Sequence, residues 1–178
     1  KALYLEVIAG DTEALGPNHP DTLSDKMNLA VLLDTEGTKK SVAEAKKLYL
    51  EVIAGRTEHY GPTHTSTLTT KMNLANLLGH NEKTKQSVAE AKTLYLEVIA
   101  GRTEHYGPTH TKTLTTKMNL ANLLKDEKTK ESVAEAKALY LEVIAGFTEH
   151  YGLTHTETLR TKHNLAALLY TEGTKESV

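Results

Sequence analysis

The sequence predicts an all-α solenoid of antiparallel helix pairs, with about eight helices in a repeating pattern. Two observations support this prediction. First, two strings recur with steps of 45, 46 and 45 residues: LYLEVIAG from Leu3, Leu48, Leu94 and Leu139, and NLA from Asn28, Asn73, Asn119 and Asn164. Second, β-branched residues are never sustained in alternation, so no segment has the pattern of a strand. The chain therefore contains one helical unit repeated four times.

The first helix of each unit, called helix A, is typified by TLTTKMNLANLL from Thr67. Leu68, Met72, Ala75 and Leu78 fall at helical spacing and form one apolar stripe. Threonine is a favourable N-cap residue. We therefore expect these helices to be capped by the threonines that precede them: Thr65, Thr111 and Thr156.

The second helix, called helix B, is typified by SVAEAKKLYLEVIAGRTEHYG from Ser41. Tyr49 and its equivalents Tyr95 and Tyr140 lie on its apolar face and are predicted to be core residues. Ser41 with Glu44 fits a serine–glutamate capping box, which recurs in the later units. The charged residues of helix B, such as Glu51, are interpreted as a solvated face. Glycines stand where the helix should end: Gly61, Gly107 and Gly152.

Each helix B also carries an interior glycine: Gly10, Gly55, Gly101 or Gly146. A glycine inside a helix costs about 1 kcal/mol relative to alanine. We therefore expect a packing reason, namely close contact with the backbone of a neighbouring helix.

The two connections within a unit differ in how constant their lengths are. From Ala45 to Ala75 is 30 residues, and the equivalent distances in the later units are the same. From helix A to helix B the spacing is 15, 16 and 15 residues. The sequences of these A-to-B turns also diverge: DTEGTKKS, GHNEKTKQS, KDEKTKES and YTEGTKES. The A-to-B turn is thus predicted to tolerate variation.

The composition narrows the range of functions. The 178 residues include no cysteine and have a formal charge of −2. The near-neutral charge argues against a nucleic-acid or membrane-surface partner, and no apolar run could span a bilayer. We expect a single solenoid domain, 1–178, with units of roughly 1–40, 41–86, 87–131 and 132–178. Nothing in the sequence fixes the compartment, for which the cytoplasm is the default.

Three motifs carry a family resemblance: NLA followed by paired leucines in helix A, EAK before LY in helix B, and LGPNHPDTL from Leu15 to Leu23. With these the chain resembles a tetratricopeptide repeat (TPR) array of the kinesin-light-chain-like, long-helix subtype. The resemblance implies a right-handed superhelix and a non-catalytic scaffold without a cofactor. It also implies that the concave groove lined by helix A binds an extended peptide or a protein partner.

The candidate groove residues are amides and hydroxyls on helix A. Amides both donate and accept hydrogen bonds, which suits a peptide backbone. The alternative is that these asparagines bond to the neighbouring helix and hold the register of the repeats. No column of lysine or arginine accompanies them, which argues against a carboxylate clamp. The candidates are Asn28, Asn73, Asn76, Asn119, Asn122, Asn164, Thr69 and Thr115.

Histidines recur at the B-to-A junction with a His-x4-His spacing, which raises a metal site as a lesser alternative. The candidates are His59, His64, His105, His110, His150 and His155. We favour capping or backbone-bonding roles for them, because a histidine near a helix C-terminus is also stabilised by the helix dipole. No metal and no catalytic group is assigned. Tyr60, Tyr106 and Tyr151 are expected to close the same junction.

The two ends of the sequence match each other. The chain begins in helix B, and its last residues, TKESV, match the start of the next helix B. No capping repeat is visible, although a solenoid normally needs one at each end. The sequence is therefore either a window on a longer array or a piece that associates end to end through its exposed terminal helices. Self-association into a superhelix or filament is the alternative to peptide binding.

Overall fold

The structure is a computed structural model that describes the backbone of residues 1–176 and the side chains of residues 1–172. This part of the chain is all-α, as predicted, with one π-helical turn. Its elements are α1 (Ala2–Leu15), α2 (Pro20–Glu36), α3 (Lys39–Tyr60), α4 (Thr65–Leu77), the π turn (Leu78–Glu82), α5 (Lys85–Tyr106), α6 (Thr111–Glu127), α7 (Lys130–Tyr151) and α8 (Thr156–Glu176). The odd-numbered helices are the predicted B helices and the even-numbered ones the A helices.

The chain divides into two compact units, Lys1–Gly101 and Arg102–Val178. In the first, α2 packs against α3 and α3 against α4; in the second, α6 packs against α7 and α7 against α8. The predicted core tyrosines Tyr49, Tyr95 and Tyr140 are buried. Fully buried alanines such as Ala45 and Ala121 let the helices approach closely. The assignment of one domain with four units remains a prediction.

The A helices are capped by histidine, and the expected threonine caps are wrong. In α4 the N-cap residue is His64, whose Nδ1 accepts from the backbone N–H of Ser66 at 3.3 Å. Thr65 is already the first helical residue. His19, His110 and His155 make the same bond in α2, α6 and α8. An unprotonated ring nitrogen accepts as a threonine hydroxyl would, so histidine can fill this role.

The capping box predicted for the B helices, serine with glutamate, is also wrong. These helices begin three residues earlier than the box requires. In α3 the N-cap residue is Thr38, which receives a bond from the backbone N–H of Ser41 at 3.1 Å. The Ser41 hydroxyl in turn accepts from the backbone N–H of Thr38 at 3.0 Å. The reciprocal pair is therefore threonine with serine, because serine at the third helical position reaches back as glutamate would. Thr129 and Ser132 repeat it in α7.

Three of the four interior glycines of the B helices face a leucine of the paired A helix. A Cβ placed on Gly55 would lie 2.8 Å from Cδ2 of Leu23, and one on Gly101 would lie 2.9 Å from Cδ1 of Leu68. On Gly146 it would lie 2.5 Å from Cδ1 of Leu114. The predicted close packing is confirmed, but the neighbour is a leucine side chain and not a helix backbone. A Cβ on Gly10 would have nothing within 4 Å.

The extra residue of the 16-residue spacing is absorbed in the π turn. The backbone N–H of Lys83 donates to the carbonyl of Leu78 at 3.4 Å, which closes the wider turn. Lys83 then ends the segment in the left-handed conformation, with φ 50°. The A-to-B connection therefore absorbs the insertion, as its varied sequence predicts, without disturbing α5.

Helix α8 differs from the other A helices. It continues to Glu176, so the turn expected within YTEGTKES is not formed. The last two residues of TKESV, Ser177 and Val178, lie outside the described residues.

Candidate peptide-binding surface

The predicted groove residues lie on the A helices and differ in exposure. In the first compact unit, Lys1–Gly101, Asn28 is exposed, whereas Asn73 and Asn76 are half-buried. In the second unit, Asn119, Asn122 and Asn164 are all half-buried. They therefore lie at the boundary between the core and the solvent, where an amide can serve either packing or recognition.

Two of these asparagines accept hydrogen bonds from core tyrosines. The hydroxyl of Tyr95 donates to Oδ1 of Asn76 at 2.5 Å, and that of Tyr140 donates to Oδ1 of Asn122 at 2.6 Å. Each bond joins a B helix to the A helix of the same pair. A buried hydroxyl without a partner would be costly. These bonds therefore satisfy the tyrosine and fix the orientation of the amide.

In the first helix pair a carboxylate replaces the amide. Val31 occupies the position of Asn76, and the carboxylate of Asp34, one turn further along α2, lies near Tyr49. Burial, and then this carboxylate, raise the pKa of the Tyr49 hydroxyl. Asp34 also accepts from Nδ2 of Asn81 at 2.7 Å. Burial raises the pKa of Asp34, and His80, Asn81 and Tyr49 oppose that effect. A carboxylate thus lies near the tyrosine in the first pair, where the other two pairs have an amide that accepts from it.

An asparagine pair also joins successive A helices in the second unit. Nδ2 of Asn164 donates to Oδ1 of Asn122 at 3.0 Å, from α8 to α6. This contact is the register-holding bond that the sequence offered as the alternative to peptide binding. With Asn122 accepting from both Tyr140 and Asn164, its oxygen is already engaged.

The predicted threonines make bonds within their own helices. The hydroxyl of Thr69 donates to the carbonyl of Thr65 at 2.8 Å, and Thr115 does the same to Thr111. The equivalent residue of α8, Arg160, forms an ion pair with Glu157 and contacts Sδ of Met118 at 3.8 Å. Both threonines are half-buried, and their hydroxyl protons are engaged within their own helices.

Lysines of the A helices point to the paired B helix. Nζ of Lys26 lies 3.1 Å from Glu51, and that of Lys71 lies 2.7 Å from Glu97. Lys117 pairs with Glu142 in the same way. Glu51, interpreted as part of a solvated face, keeps a side chain that is 40% exposed, and the packed helices also bring a half-buried lysine against it. These lysines are therefore engaged with glutamates of the B helices.

The B-to-A junction is a compact structural unit. The ring of Tyr60 stacks on His64, with centroids 4.7 Å apart, and the rings of Tyr106 and Tyr151 stack likewise on His110 and His155. The buried hydroxyl of Thr67 donates to the carbonyl of Gly61 at 3.0 Å. These contacts confirm that the tyrosines close the junction. Among the described residues, no three histidine, aspartate or glutamate side chains are placed to hold a metal ion.

An arginine contact at the same junction was not predicted. Nη1 of Arg56 donates to the carbonyl of Ser66 at 3.1 Å and to the Thr70 hydroxyl at 2.9 Å. Arg102 makes the same two bonds in the second unit and is only 6% exposed. Burial lowers the pKa of both arginines. The sequence signal for this contact is an arginine that recurs directly after the interior glycine of helix B.

Comparisons with known proteins agree with this geometry. The sequence model of the tetratricopeptide repeat family matches residues 67–111. A crystal structure from Podosopora anserina, of a protein assigned as a kinesin light chain with nearly identical TPR-like repeats, superposes with a TM-score of 0.79 at 25% identity, covering 99% of this chain and 79% of that one. A point variant of that protein gives 0.81 at 25% identity, with 99% and 78% covered.

A third structure is similar in fold alone. BtubC (BKLC) from P. vanneervenii superposes with a TM-score of 0.79 at 21% identity, and the match covers 97% of this chain and 65% of that one. No curated protein matches the chain. None of the described helices is long and apolar enough to cross a membrane.

The fold is thus that of a helical solenoid similar to tetratricopeptide-repeat proteins, a class whose members generally serve as non-catalytic scaffolds for protein interactions. The structures to which it is similar include a kinesin-light-chain-like protein with TPR-like repeats, which agrees with the resemblance carried by the motifs.

Proposed function

We propose that the A-helix surface of each unit binds an extended segment of a partner protein. The proposal is supported chiefly by the fixed amides: with Oδ1 of Asn76 held by Tyr95 and that of Asn122 by Tyr140, each amide is oriented before any ligand arrives. A side chain that is already ordered loses less entropy on binding. Beside them, Asn28 is exposed and Asn73 half-buried, at the surface of the same helices.

The chemistry of this surface favours a peptide backbone over a charged ligand. Asn122 accepts through Oδ1, which leaves its NH2 group as the donor it can offer, whereas Asn164 donates through Nδ2 and offers its oxygen. Donors beside acceptors match the alternating N–H and C=O groups of an extended peptide. The lysines nearby are paired with glutamates, so an anionic ligand would have to break those pairs.

The test uses peptides selected for binding from a random display library and measures their affinity by fluorescence polarisation. Asn73→Ala with Asn119→Ala should weaken binding roughly tenfold or more, the effect of losing one or two hydrogen bonds. The melting temperature should change little. A matched control is Asn18→Ala, which removes an amide from the linker between α1 and α2. Unchanged affinity in the double variant, or equal loss in the control, would rule the proposal out.

A second function, self-association through the terminal helices, is favoured by a separate observation. Leu159 of α8 is 50% exposed and Val7 of α1 is 46% exposed. Their equivalents inside the repeats, Leu114 and Val52, are fully buried. Exposed apolar faces of this kind commonly mark association sites. Sedimentation at increasing concentration tests it, and a chain that stays monomeric throughout would count against it.

A further inference from the structure

The amide bond that joins two A helices in the second compact unit is replaced in the first. In the second unit, Nδ2 of Asn164 on α8 donates to Oδ1 of Asn122 on α6 at 3.0 Å. By the repeat spacing, the equivalent residues of α4 and α2 are Asn73 and Val31. Helix α2 packs against α4 as α6 packs against α8. Asn73 is thus placed like Asn164, but the residue opposite it is a valine, which cannot accept a hydrogen bond.

The side chain of Asn73 therefore keeps both its donor and its acceptor. Among residues 1–172, whose side chains the structure describes, none hydrogen-bonds to this amide. Asn73 is nevertheless half-buried, at the boundary between the core and the solvent. A polar group that is partly withdrawn from water and has no protein partner gains when a ligand supplies one.

An exposed apolar side chain accompanies this amide. Val31 is 43% exposed, at the position where the later A helices carry the amide that a core tyrosine holds. Asn28 lies one turn earlier on the same helix and is also exposed. A donor, an acceptor and an apolar surface together match one residue of an extended peptide, whose backbone N–H and C=O point to the same side of the strand.

We infer that Asn73 and Val31 form a subsite that selects an aliphatic residue of the bound segment. The NH2 group of Asn73 donates to a backbone carbonyl of the segment, and its oxygen accepts from a backbone N–H. The side chain of the segment packs on the methyl groups of Val31, where a charged group would lose water without gaining a partner. The inference rests on the proposed peptide binding and names the residue type that the first compact unit selects.

Val31→Asn tests the subsite, because the introduced amide can take the role that Asn122 has in the second unit. Its oxygen would accept from Nδ2 of Asn73, which removes the available amide and the apolar contact together. Affinity for peptides selected with the wild-type chain should fall roughly tenfold or more in fluorescence polarisation. The melting temperature should not fall, since a bond between α2 and α4 is gained. The matched control, Leu50→Asn, introduces the same residue in place of a 46% exposed leucine on the B helix α3 and should leave affinity unchanged.

Variants of the peptide supply a second readout that does not depend on a change in the protein. The selected peptides should share an aliphatic residue. Its replacement by alanine should weaken binding to the wild-type chain roughly fivefold or more. The same replacement should have a much smaller effect on binding to Val31→Asn, because the contact it removes is already lost there. Selected peptides without a shared aliphatic residue, or an equal effect of the replacement on both proteins, would overturn the subsite.

The outcomes separate this inference from the proposed function. If Asn73→Ala with Asn119→Ala leaves affinity unchanged, or if no peptide is selected, the proposed function fails and the subsite fails with it. If that double variant weakens binding while Val31→Asn binds like the wild-type chain, peptide binding stands and the subsite is wrong. Equal losses in Val31→Asn and Leu50→Asn would also count against the subsite.

Discussion

The hydroxyl of Tyr140, at the centre of a B helix, donates to Oδ1 of Asn122 on the paired A helix at 2.6 Å. The tyrosine ring is buried and the asparagine half-exposed, so this bond connects the core to the proposed binding surface. The same asparagine accepts from Asn164, which extends the connection to the next A helix. Three helices are therefore linked through one amide oxygen.

Tyr140→Phe should lower the free energy of unfolding by about 1 kcal/mol, the usual net value of a buried hydrogen bond. The ring remains, so packing is kept and only the donor is lost. Urea unfolding monitored by circular dichroism measures the change. Tyr151→Phe is the control, because that ring is 44% exposed at the junction. Equal effects of the two variants would show that the bond contributes nothing.

Alkaline pH should destabilise the fold through the same core residues. Burial raises the pKa of Tyr49, Tyr95 and Tyr140, and for Tyr49 the charge of Asp34 adds to the effect. A raised pKa means that the folded chain keeps a proton that the unfolded chain loses above about pH 10. The stabilisation is therefore complete below that pH and is lost as the pH rises further.

The free energy of unfolding should fall by roughly 1.4 kcal/mol per pH unit for each of these tyrosines above about pH 10. Urea unfolding at a series of alkaline pH values gives the slope. Tyr140→Phe should reduce the slope by the contribution of one tyrosine, roughly 1.4 kcal/mol per pH unit. In the folded state the tyrosinate absorbance should stay short of the full value for eight tyrosines. Complete ionisation with unchanged helicity would contradict the prediction.

Most of the fold could be predicted from the sequence, because the repeat period, the apolar spacing and the helix-ending glycines are local signals. The caps were misplaced by one or three residues. Several threonines and serines stand near each helix start, and only the backbone geometry shows that His64 or Thr38 is the N-cap. The role of Asn76 could not be predicted, since its partner Tyr95 lies 19 residues away on another helix.

Gly146→Ala should destabilise the chain by about 1–3 kcal/mol, as expected for overpacking a buried contact. The new Cβ would lie 2.5 Å from Cδ1 of Leu114, which is fully buried and has little room to move. Gly10→Ala is the matched control, since nothing lies within 4 Å of its Cβ position. There the gain in helix propensity should stabilise by up to about 1 kcal/mol. Thermal unfolding of monomeric samples measures both changes in stability. If both variants are stabilised, or both destabilised, the packing explanation is refuted.

Lys128→Gly should stabilise the chain by about 1 kcal/mol. Lys128 ends α6 with φ 60°, in the left-handed region that costs a residue with a side chain about 1 kcal/mol. Gly37 ends α2 in the same conformation, with φ 64°, and already avoids that cost. The reciprocal change Gly37→Lys should therefore destabilise by a similar amount. The urea midpoints of both variants measure these two changes in stability. A lower midpoint for Lys128→Gly would contradict the prediction.

Deletion of His80 should be tolerated and should convert the π turn into a regular helix end. The deletion turns LLGHNEKTKQS into LLGNEKTKQS, which aligns residue by residue with LLKDEKTKES of the third unit and restores the 15-residue spacing. The turn bond of 3.4 Å between Lys83 and Leu78 would no longer be needed. We expect the free energy of unfolding to change by less than about 1 kcal/mol, because the packed faces of α4 and α5 keep their register.

Deletion of Asp126 is the control: the third unit has no extra residue, so its loss should rotate the end of α6 by about 100° and destabilise strongly. Far-ultraviolet circular dichroism and thermal unfolding of the two deletions decide the matter, and equal damage from both would show that the π turn is required for the fold.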